Sequence, residues 1–154
     1  MGTVSKDEKQ MEELLYKWIE LNEKILDDEP ITYKEFKKLF CETFSYFSKL
    51  VDGETISRNA ILLIKQMSIF SFRFYCPKGM TSKETNICTS LTDGLILAIS
   101  VTDKHHYCDL KNGVIPFEIV YNYDYPVRLE TFDDDIEKVM EIYDEYYQEI
   151  DEEE

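Results

Sequence analysis

Residues 31–53 leave this chain little conformational choice. Thr32-Tyr33-Lys34-Glu35 has the spacing of a capping box, in which the threonine hydroxyl accepts from the backbone three residues on and the glutamate reaches back. Ile31 and Phe36 stand around it at the spacing of a hydrophobic staple. Phe36, Leu39, Phe40, Phe44, Phe47 and Leu50 then recur at three- and four-residue intervals until Asp52-Gly53 ends the run. A helix with that face must bury its rings against a neighbour. The preceding segment offers one: Met11, Leu14, Leu15, Trp18, Leu21 and Ile25 mark an amphipathic helix over about residues 6–27, with a second capping box at Ser5-Lys6-Asp7-Glu8 and a stop at Asp27-Asp28-Glu29-Pro30.

Beyond residue 53 the pattern changes. Ser57 can cap a third helix through Ala60, Ile61, Ile64 and Met67. Phe70, Phe72 and Phe74 then alternate with Ser71, Arg73 and Tyr75, which is strand spacing, so the expectation is helix to about residue 69 and strand after it. Cys76-Pro77-Lys78-Gly79 reads as a turn, the polar stretch to Asn86 as an exposed loop, and Leu95–Val101 as a buried strand. His105–Leu110 and Val114–Tyr123 flank Lys111-Asn112-Gly113, a strong hairpin signal. Thr131 can cap a last helix, with Asp133, Asp134 and Asp135 in its first turn and Ile136, Val139, Met140, Tyr143, Tyr147 and Ile150 facing inward. The expected fold is α+β: about three N-terminal helices, a three- or four-stranded antiparallel meander, and a closing acidic C-terminal helix. At 154 residues the length suits one domain, taken as residues 1–150 with an acidic tail at 151–154.

The charge is lopsided. Thirty-two acidic against 17 basic residues leave −15, which argues against direct binding to nucleic acid or anionic lipid. From Phe117 to Glu154 there are 15 Asp and Glu against Arg128 and Lys138, a net of −13, so the first three-quarters of the chain is close to neutral. Glu137, Glu141, Glu145 and Glu149 fall at successive i, i+4 positions, where each like-charged pair costs a few tenths of a kcal/mol of helix stability. As a helix this segment carries about one charge per 3 Å, against the ~3.4 Å axial spacing of charges on one DNA strand. Acidic helix faces commonly serve solubility alone. The sharper reading is a carboxylate surface that stands in for nucleic acid in a partner's basic groove. Tyrosines accompany it. Tyr121, Tyr123 and Tyr125 alternate, and Tyr146 and Tyr147 are adjacent, a composition suited to protein interfaces.

Most catalytic chemistry lacks its signature. No Gly-x-Ser-x-Gly, no His-Glu-x-x-His and no glycine-rich phosphate loop occurs, which sets Rossmann and P-loop sites aside. The one cluster to weigh is His105-His106-Tyr107-Cys108-Asp109, with Cys76 and Cys88 upstream. Cys76, Cys88, His106 and Cys108 are ligand types that zinc accepts, but the paired-cysteine knuckles of structural sites are missing. His105 or His106 as a general base beside Cys108 or Cys88 lacks any marked oxyanion site. The N-terminus shows no apolar export signal and no run reaches membrane-spanning length, so a cytoplasmic setting with reduced thiols is expected, Cys41 among them as core packing.

These readings converge on a non-enzymatic, cofactor-free binding protein. Its partner would be a basic, nucleic-acid-handling protein, as for an immunity protein against a nuclease toxin or a virus-encoded inhibitor of a host nuclease defence. Asp134, Glu137, Glu141, Glu145 and Glu149 are the candidate contacts, with Tyr125, Tyr146 and Tyr147 as anchors. The rivals are a small enzyme or metal-binding domain using His105, His106 and Cys108, and a subunit of a larger assembly.

Overall fold

Capping chemistry sets where the helices begin. The computed structural model describes residues 6–49, 58–72, 76–100, 109–120 and 123–153. Helix α1 spans Lys6–Leu26 and α2 spans Tyr33–Ser48. At the start of α2, Thr32 Oγ1 accepts from the Glu35 N–H at 3.1 Å while Glu35 Oε2 accepts from the Thr32 N–H at 3.3 Å. Ile31 and Phe36 are both fully buried beside that box, closing the expected staple. The end of α1 is a Schellman turn: Glu29 N–H bonds the Lys24 carbonyl, Asp28 N–H bonds the Ile25 carbonyl, and Asp28 adopts a left-handed φ of 59°. The Ser5 box lies outside the described residues.

The core is aromatic. Trp18, fully buried, meets Phe36 and Phe70 edge-on at 6.1 and 5.7 Å, and Phe36 stacks on Phe40 and Phe70. The indole N–H donates to Thr43 Oγ1, whose own hydrogen goes to the Leu39 carbonyl, so this buried polar chain is complete. Helix α3, Arg58–Ser71, lies against α1 and is tied to it by Asn22, whose amide donates to both the backbone and side-chain oxygens of Gln66.

Here the structure departs from the expected strands. Phe70 belongs to α3, completing the buried row Ala60, Leu63, Met67, Phe70, and Phe72 lies in the turn after it. Residues 73–75 fall outside the described part. Residues 82–100 are neither loop nor strand but a fourth helix, α4, Ser82–Ser100. Its start is a capping box of the same kind as that of α2: Thr81 Oγ1 accepts from the Glu84 N–H at 3.1 Å and Glu84 Oε1 from the Thr81 N–H at 2.9 Å. Ile87, Cys88, Leu91, Leu95 and Ala98 form its buried face. Gly94, a poor helix former, is required by packing, because a Cβ there would stand 2.0 Å from the Pro116 carbonyl oxygen.

Among the described residues the meander shrinks to one hairpin. Strand β1, Val114–Val120, pairs antiparallel with β2, Tyr123–Arg128, with Phe117 opposite Tyr125 and Pro116 opposite Pro126. Among the described residues each strand is paired on one side only at its proline, an edge setting that tolerates the two facing prolines. Lys111-Asn112-Gly113 does reverse the chain, through a single 3₁₀ turn at Leu110–Asn112 and a left-handed Gly113, but among the described residues it joins β1 only to an isolated bridge at Asp109. Residues 101–108 lie outside the described part. Among the described residues the fold is therefore four N-terminal helices, a two-stranded antiparallel sheet and a C-terminal helix, α5, Phe132–Glu153. Strand β1 lies along α4, and the hairpin carries α5.

Candidate functional site

Helix α5 follows from the order of its residues. Phe132, Ile136 and Val139 are buried, with Met140 and Ile142 half-buried against the same core, and Phe132 reaches Phe40 of α2 at 5.8 Å. The Thr131 carbonyl accepts the first helical bond, from the Asp135 N–H at 2.9 Å. The Thr131 hydroxyl, however, donates to Asp135 Oδ2 at 2.8 Å instead of capping a backbone N–H. The same oxygen accepts from the Arg128 N–H at 2.9 Å, and the Arg128 guanidinium stands 3.9 Å from Oδ1. Asp135 is itself buried, so this carboxylate clasps the end of β2 to the first turn of α5. Sequence reading gave Asp135 only a dipole role; the signal that finds it is Arg128-x-x-Thr131-x-x-x-Asp135 across a strand–helix junction.

Two further carboxylates of α5 are matched by lysines of the helical layer. Asp133 pairs with Lys37 of α2, and Asp144 pairs with Lys83 of α4 at 2.8 Å. Beside the latter, the Asn86 amide donates to the Tyr143 hydroxyl at 2.8 Å. Asp134, Glu137, Glu141 and Glu145 are different. All four are exposed and none has an ion-pair partner among the described residues. At 100° per residue they share one stripe of α5, with successive glutamates about 6 Å apart along the axis. The side chains of Tyr146, Tyr147 and Glu149 lie outside the described part. Tyr125 does not stand free: it is half-buried and packs on the core.

The described thiols lie at different depths. Cys88 points into the core from α4, and burial pushes its thiol pKa far up. Burial raises Cys41 to about 11, with nearby Lys37 pulling the other way, which leaves a protonated thiol at neutral pH and no nucleophile. Cys41 borders an open cleft of about 450 Å³ at the start of α5, shared with Lys37, Glu130, Asp133 and Asp134. Cys76 is exposed and its sulfur lies 2.9 Å from the Met80 carbonyl and 3.1 Å from Thr85 Oγ1. His105, His106 and Cys108 fall outside the described residues. Among the described residues no three His, Cys, Asp or Glu side chains gather as a metal requires, and no helix is long and apolar enough to cross a membrane. No family model, curated protein or solved structure matches the chain.

Proposed function

We propose that the unpaired stripe of α5 is a docking face for a basic protein, occupying the groove in which that partner handles nucleic acid. The observation that carries this reading is the division of carboxylates along one helix. Asp133, Asp135 and Asp144 are each matched by a group of the body, whereas Asp134, Glu137, Glu141 and Glu145 have no partner among the described residues. Leaving them unmatched costs helix stability through i, i+4 repulsion, a cost that a cationic counterpart reverses. The arrangement suits a stoichiometric inhibitor, in either the immunity or the viral anti-defence setting.

The test is capture from the native host with two baits, the parent chain and the Glu137→Lys/Glu141→Lys/Glu145→Lys variant. The parent should retain a nucleic-acid-binding protein that duplex DNA or heparin elutes, with retention falling steeply between low and physiological salt. The reversed bait should lose that protein. Equal retention by both baits refutes the reading. A Glu→Gln triple variant supplies the stability arm: relief of repulsion should leave the fold intact and raise its stability by about 0.5 kcal/mol.

A further inference from the structure

Helix α3 is apolar on two sides. Its inner row is buried against α1 and α4. Arg58, Ile61, Leu62, Lys65 and Ile69, with Phe72 just beyond the last residue, fall within about 100° of the opposite side. All six are exposed, Ile61 by 59% and Phe72 by 75%. A contiguous apolar stripe of this kind marks a contact surface, since water disfavours it.

Charge narrows the choice of occupant. The chain carries −15, yet α3 contains two bases and no acid, alone among the described helices. Two copies can therefore meet here without α3 itself bringing a carboxylate to the contact, while α5 packs chiefly on the hairpin. The stripe is also self-complementary. In an antiparallel pairing centred on residue 65, Ile61 and Leu62 face Ile69 of the other copy, and Arg58 faces Phe72. Asp93 of α4, exposed and beside Ser71 at the C-terminal end of α3, comes to the same end as the other copy's Arg58. Only Lys65 is misplaced, brought against its twin near the axis.

We propose that α3 is the two-fold interface of a weak, reversible homodimer, with Arg58 pairing Asp93 across it. The reading is independent of the acidic face of α5. One helix about 21 Å long covers far less than the ~800 Å² per partner of a standard stable interface, so association should be concentration-dependent.

Sedimentation equilibrium from about 10 μM to 1 mM, the range for an interface below standard size, should show the mass climbing from 18.3 kDa towards twice that value. Ile69→Glu should stay monomeric throughout, with an unchanged circular dichroism spectrum. Lys65→Gln should tighten association several-fold by removing the repulsion at the axis. Arg58→Asp and Asp93→Arg should each weaken it, and the double swap should restore it. A parent chain monomeric over the whole range, association indifferent to Ile69→Glu, or a double swap no better than either single change overturns the proposal. So does a monomer that cosediments with phosphatidylcholine vesicles, which would assign the stripe to lipid.

Discussion

The helical layer and α5 solve different problems with the same element. The layer is held by rings: Trp18, Phe36, Phe40 and Phe70 bury one another, and its charged residues stay at the rim in exposed pairs such as Lys17–Glu42. Helix α5 has a narrower apolar seam, Phe132, Ile136 and Val139, supplemented by polar ties at Asp133, Asp135, Tyr143 and Asp144. The first arrangement spends its sequence on stability. The second meets stability with part of the helix and leaves the remaining carboxylates to something else.

The largest expected effect tests the layer. Trp18→Ala removes the ring that Phe36 and Phe70 share and leaves Thr43 without its donor. The loss should be about 3–5 kcal/mol, read by urea denaturation. A loss under about 1 kcal/mol would mean that the rings are not the common core of α1, α2 and α3.

The next distinguishes two kinds of carboxylate on one helix. Asp135→Ala removes the one carboxylate that the Arg128 N–H and the Thr131 hydroxyl share at a part-buried junction, and the loss of these charge-assisted bonds should cost about 1–3 kcal/mol. Glu141→Ala, outward and unpaired, should stay within about 0.5 kcal/mol of the parent. If the two changes cost the same, the division between tying and outward acids along α5 is wrong.

How far this was legible in advance depended on whether local signals agreed with tertiary ones. At Thr32–Glu35 the capping box, the staple and the aromatic period all point one way, and α2 stands where they place it. At Thr81–Glu84 the same box is present, but the polar stretch to Asn86 reads as a loop and the run Leu95–Val101 as a strand, and Gly94 lies between them as a poor helix former. The approach of the Pro116 carbonyl explains the glycine, and that contact is invisible until β1 is in place. The strand expected over Val114–Tyr123 stops at Val120; Tyr123 and Tyr125 share the returning strand β2, with Tyr125 opposite Phe117, and Tyr121 lies outside the described residues. Alternation reports strand spacing but not where the chain reverses. The outward acids of α5 were readable because spacing alone puts them on one side. The Asp135 clasp was not, since it depends on where β2 ends.

The smallest expected effect returns to the layer, where an acid can matter through its backbone alone. Asp28 closes α1 with φ at 59°, a conformation that costs residues with a Cβ about 1–2 kcal/mol. Glycine adopts it freely but loses about 0.5–1 kcal/mol more chain entropy on folding. The balance predicts that Asp28→Gly stabilises the protein by about 0.5–1 kcal/mol. Asp28→Asn separates geometry from charge, because it keeps the Cβ while removing an anion from the negative end of the helix dipole, worth about 0.3 kcal/mol. Gly above Asn above the parent in thermal melts is the order that backbone strain dictates. Asn matching Gly would instead make charge the controlling term, and the layer and α5 would differ less than their side chains suggest.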